Sequence, residues 1–82
     1  MPDKLPLPPP TPLRTGRYRH HKTGNEYEVL GVARHSETLE ELVVYRALYG
    51  DRGLWVRPLS MFTQRVDVDG RSVARFEYVG ET

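Results

Sequence analysis

From residue 14 onward, turn-forming residues cut the chain into runs that are mostly too short for helices: Gly16, Gly24-Asn25, Gly31, Gly50, Gly53, Pro58 and Asp69-Gly70. Apolar runs of strand length between such breakers are the pattern of antiparallel sheet. "GRYRHH" reads as a first strand and "KTGN" as a hairpin turn, because Gly24 and Asn25 tolerate positive φ. "EYEVLGVAR" is then a second strand, in which Gly31 marks a bulge or sharp bend. "QRVDV" and "RSVARFEY" flank Asp69-Gly70, a strong type I′ hairpin signal.

One stretch escapes this punctuation: "RHSETLEELVVYRAL", residues 34–48. As a helix, Thr38 would cap it with Glu41 three positions later, and Leu39, Leu42, Val43 and Ala47 would share a face. Against that, "LVVYRALY" carries adjacent valines and two tyrosines, residue types that favour strands. It also ends at "GDRG" with "LWVRP" beyond, which makes a hairpin. The expectation is a loop over 36–41, with at most one helical turn, and a strand over 42–49. Pro58 has no amide to give a sheet but suits a first helical turn. "PLSMF" is therefore expected to be a short helical turn whose Leu59 and Phe62 plug one end of the core.

Six strands in under 70 residues are too many for two separate layers. The expected fold is mainly β: a small antiparallel curled sheet or SH3-like barrel of about five to six strands with one short helical turn. Six of the seven prolines fall within "MPDKLPLPPPTPL", so residues 1–13 are expected to be a disordered, polyproline-like tail, and residues 14–82 a single small β domain. Pro6 and Pro9 have the spacing of ligands for aromatic grooves, although a mobile terminus is the commoner meaning of such a segment.

The motifs "YRH" at 18–20, "ARHSET" at 33–38, "VVYR" at 43–46 and "WVRPLSMF" at 55–62, with the "VDVDG" hairpin and "RFEY", carry a resemblance. Over about residues 16–79 the chain resembles the short bacterial family described as domain of unknown function sixteen fifty-three. The resemblance implies a bacterial origin and a shared small fold. No catalytic or binding role comes with it.

Charge narrows the function classes. The net charge is only +1, but from Arg14 to His35 there are five Lys or Arg against two acids, and from Ser36 to Asp51 four acids against Arg46 alone. Ten of the twelve basic residues are Arg, the type suited to bidentate contact with phosphate or carboxylate and to stacking. Arg17 and Arg19 share one face of the first strand, with Tyr18 and His20 on the other. If Lys22, Arg34 or Arg57 joins a common patch with them, an exposed Tyr or Trp55 beside it would make the basic, aromatic surface that single-stranded nucleic acid uses. In so small a domain, however, Trp55, Tyr27 and Tyr45 are expected in the core.

Chemistry has weaker support. His20, His21 and His35 are zinc-ligand types, and His20 with His35 is the better pair, since His20 and His21 point to opposite faces of a strand. Ser36 beside His35 lacks a nucleophile elbow and any oxyanion loop, so Ser36 and Thr38 are read as holding the loop's own amides. The absence of cysteine excludes disulfides and thiolate metal sites. No apolar run approaches the roughly 20 residues of a membrane helix, and a cytoplasmic location is the default expectation. The expected function is a non-enzymatic binding module for an anionic partner, nucleic acid first, without catalytic residue or cofactor. A protein-interaction module is the second reading and a metal-assisted enzyme the third.

Overall fold

A computed structural model of the chain describes residues 9–81. Strand-length runs between turn residues become strands. β1 is Gly16–His20, β2 Glu26–Arg34, β3 Glu41–Ala47 and β4 Leu54–Pro58. A one-turn helix, α1 (Leu59–Phe62), follows, and then β5 (Arg65–Val68), β6 (Arg71–Ala74) and β7 (Phe76–Gly80). β4-β3-β2-β1-β7 form a five-stranded sheet, antiparallel throughout, and β5-β6 a separate two-stranded one. The curled sheet, rather than a closed barrel, is thus the form adopted: β4 and β7 remain its two edges.

Residues 34–48 resolve in favour of the strand. Val43 pairs with Val32 on one side and Arg57 on the other, and Val44 with Gly31 and Val56. A helix would turn Val43 and Tyr45 to different sides, whereas an extended chain sends both, with Ala47, to one buried face. The capping signal at Thr38 becomes a single turn instead: the Leu39 amide bonds the His35 carbonyl at 2.9 Å, and the Glu40 amide bonds Thr38 Oγ1 at 3.2 Å. Gly31 does accompany a bulge, between Val29 and Gly31 in the pairing with β3, which bends β2.

The core is largely aromatic. Tyr18, Val29, Val43, Tyr45, Phe62 and Phe76 form one buried cluster, with Leu13, Tyr27, Leu59 and Tyr78 packed against it. Phe62 lies flat on Phe76 at 4.2 Å between centroids, and Tyr18 meets its edge at 5.4 Å. Phe62 thus closes the concave side of the sheet, the plug that "PLSMF" predicts. Leu59 supports it from the same turn.

Three expectations need correction. There are seven strands rather than five or six, because "RSVARFEY" is not one strand: it breaks at Arg75, β6 returning along β5 and β7 crossing to pair with β1. Pro58 is the last residue of β4, with extended torsions, rather than a residue of the helical turn. Trp55 is exposed, while Tyr45 is buried and Tyr27 half-buried. The Asp69-Gly70 turn is as expected, with φ of 52° and 80°. Pro6 and most of the proline-rich segment lie outside the described residues; within them, Thr11 Oγ1 bonds Glu41 at 2.7 Å and Leu13 packs on the core.

Candidate anion-binding cleft

Where β1 ends, the chain reverses tightly: the His20 amide bonds the Asn25 carbonyl at 2.8 Å, and the Gly24 amide returns to the His20 carbonyl at 2.8 Å. The His21 amide then bonds the Arg75 carbonyl at 2.8 Å, and the Arg75 amide bonds the Gln64 carbonyl at 3.0 Å. Arg75, at the break between β6 and β7, thereby fixes the small hairpin against the β1–β2 turn. An open cleft of about 490 Å³ lies between them. His20, His21 and Lys22 form one wall, Val66, Asp67 and Val68 the other, with Arg75 at the join.

Its electrostatics are one-sided. Burial lowers the His20 pKa most, and the positive fields of Arg57, Arg75, Lys22 and His21 lower it further. Four cationic or ionisable nitrogen groups thus act on one imidazole. His20 is held in place by its ring, edge-on to Phe76 at 4.8 Å, and by Nδ1, which accepts from the Thr23 amide at 3.3 Å. The Arg57 guanidinium sits over the same Phe76 ring, 5.4 Å from its centroid. Among the described residues none of Lys22, His21, Arg57 and Arg75 is within 4.0 Å of a carboxylate, although Asp67 lines the opposite wall. Arg75 donates through Nη2 to Gln64 Oε1 at 3.2 Å, while its buried Nε has no partner among them.

The candidate arginines therefore divide. Lys22 and Arg57 come together around His20. Arg17 and Arg19 do share a face, the outer one, but the Glu26 carboxylate bridges them, 3.2 Å from Arg17 Nε and 3.0 Å from Arg19 Nη2. Arg34 stands opposite Glu41 at the far end of β2. Hydrogen bonds from Thr11 hold the Glu41 carboxyl below its ordinary pKa, and Arg34 adds a smaller pull. His20 and His35 lie at opposite ends of the nine-residue β2, roughly 30 Å apart at ~3.3 Å per residue. One ion cannot bridge them. His35 Nδ1 instead accepts the Glu37 and Thr38 amides, at 3.1 and 3.3 Å. Among the described residues there is no group of three or more His, Cys, Asp or Glu placed to hold a metal.

Sequence reasoning passes over Arg75 and treats His21 only as a metal-ligand type. Arg75 reads as one residue in a continuous strand, and nothing local marks the break that turns it into the cleft. Trp55 stands opposite Tyr45 on β4, two residues before Arg57, so the exposed indole and the Arg57 side chain share the core-facing side of that strand.

No curated protein matches the chain. A crystal structure of a protein belonging to DUF1653 from Bordetella bronchiseptica is 42% identical and superposes with a TM-score of 0.76, over 85% of this chain and 91% of that one. The model of the family described as "Protein of unknown function (DUF1653)" matches residues 16–78. This chain belongs to the DUF1653 family.

Proposed function

We propose that the protein is a non-enzymatic binding module whose cleft receives phosphate groups of a single-stranded nucleic acid. The observation that carries this reading is the convergence of Lys22, Arg57, Arg75 and His21 on His20, with no carboxylate among the described residues ion-paired to any of the four. Like charges held near one another raise the energy of the free state, and an incoming anion relieves it. The same anion favours the protonated form of His20, which adds a positive charge beside it.

Trp55 distinguishes a nucleic acid from a simple anion. A strand whose phosphates occupy the cleft passes the exposed indole on the Arg57 side, where a base can stack with little regard to sequence. Trp55 is the only tryptophan, so its fluorescence reports that contact. Titration with a mixed-sequence single-stranded oligonucleotide at low ionic strength is expected to quench it, with affinity falling steeply as salt rises. Unchanged fluorescence together with no binding at low salt discards the proposal.

A further inference from the structure

We propose that the edge of β4, which no strand among the described residues pairs with, joins antiparallel with the same edge of a second copy, uniting two five-stranded sheets through a two-fold axis. This inference stands apart from whatever the cleft binds.

The hydrogen-bond parity of β4 is fixed by one contact. The Ala47 amide bonds the Gly53 carbonyl at 3.1 Å. Counting along the register from Arg46↔Leu54 to Val43↔Arg57, Trp55 and Arg57 are the β4 residues whose backbone groups face β3. Leu54, Val56 and Pro58 turn theirs away. This also explains how Pro58 sits in a strand: the amide it lacks would point off the sheet.

That open edge is unusually apolar. Leu54, Trp55 and Val56 are 60%, 59% and 59% exposed, so both faces of the strand are uncovered. Tyr49 in the preceding turn and Met61 in α1 are exposed beside it, leaving Leu30 as the remaining large apolar residue of that kind among those described. Soluble proteins commonly protect such edges with lysine, bulges or prolines. Here the pairing of β4 is regular, and Pro58 guards only the end.

A second copy fits this edge in one register better than in its neighbours. Placing Leu54 opposite Val56 of the other copy lets both residues donate and accept, which gives four N–H···O bonds across the axis. Trp55 then faces Trp55 of the other copy, and apolar meets apolar on both sides. Sliding two residues places Pro58 opposite Leu54, which leaves the Leu54 carbonyl without a donor, and sets Trp55 against Arg57 of the other copy. In the favoured register the two Arg57 side chains lie four strand positions apart, roughly 13 Å, beyond the ~8–10 Å over which exposed charges act at moderate salt. The paired indoles lie between the two Arg57 residues.

The contact is confined to one five-residue strand with Tyr49 and Met61 beside it, well short of the roughly 800 Å² per partner of a standard interface. The dimer is therefore weak and concentration-dependent. Sedimentation from about 10 μM to about 1 mM, with amide exchange at both ends of that range, tests it. The expected result is reversible dimerisation in which the Leu54 and Val56 amides gain at least tenfold protection at high concentration. The Trp55 and Arg57 amides, already bonded to β3, stay protected throughout. Val56→Lys, whose amide and side chain leave the β3 pairing intact, should weaken dimerisation at least tenfold. A monomer across the range overturns the proposal, as does association that leaves the Leu54 and Val56 amides unchanged or Val56→Lys with undiminished dimerisation.

Discussion

Arg75→Ala should change the salt dependence of nucleic-acid binding, whereas Arg17→Ala should not. Lys22 and Arg75 line the cleft, and Arg57, whose charge acts on His20 in its wall, is the third permanent cation offered to a phosphate. For a single strand each neutralised phosphate contributes about −0.7 to the slope of log K against log salt, so three contacts give about −2.1. Raising salt from about 50 to about 200 mM then weakens binding roughly 18-fold. Removing Arg75 leaves two contacts, a slope of about −1.4 and a loss of only about 7-fold over the same range. The backbone bonds of Arg75 to His21 and Gln64 do not depend on its side chain, so the cleft walls stay in place. Arg17 is already neutralised by Glu26, and its replacement should leave the slope near −2.1. Trp55 fluorescence titrations at four or five salt concentrations measure all three slopes. Equal slopes for wild type and Arg75→Ala, or a shallower one for Arg17→Ala, refute the placement of the phosphates.

Three further outcomes follow from the packing and from the displaced pKa values. Phe62→Ala empties the centre of the aromatic cluster and should cost about 3–5 kcal/mol, most of the stability of a domain this size; a Tm drop under about 10 °C would contradict the packing described. Gly16 has φ of 132°, and a Cβ there would meet the Gly80 carbonyl oxygen at 2.8 Å and Tyr78 Cε1 at 3.0 Å, so Gly16→Ala should destabilise by about 1–3 kcal/mol in chemical denaturation. Burial, followed by the 2.9 Å hydrogen bond with Tyr49, pushes the Tyr27 pKa up to about 12. Its raised value means that the stabilisation is complete below about pH 10, where the unfolded chain's tyrosine titrates, and is lost as pH rises through about 12. Denaturant midpoints of Tyr27→Phe should therefore fall less steeply than wild type over that interval.

Local signals made much of the fold legible. Asp69-Gly70 specified its turn because both residues accept positive φ, and Gly31 marked the bulge of β2. The adjacent valines prevailed over the Thr38 cap because strand pairing on both sides of Val43 outweighs one capped turn. The break at Arg75 was invisible, since β7 leaves β6 in order to pair with β1, a partner more than fifty residues earlier in the chain. The site was half legible for the same reason. Lys22 and Arg57 could be named as candidates, but their meeting around His20 depends on β7 and its Phe76, against which both His20 and Arg57 rest. Arg17 and Arg19 shared a face as the strand period requires, but Glu26 stands across from Arg19 on β2 and neutralises both. Trp55 lies on the core-facing side of β4 yet stays exposed, because β4 is the edge of the sheet.

The imidazole of His20 is the most direct reporter of an anion in the cleft. Its pKa, followed by NMR in the free protein, should lie below the ordinary histidine value because of burial and the surrounding cations. Since charging His20 is harder in the folded state, its contribution to stability is full above pH ~6.5 and declines as pH falls through the lowered value. With saturating single-stranded oligonucleotide the same resonance should titrate at higher pH. A His20 pKa unmoved by bound oligonucleotide would place the ligand elsewhere on the protein.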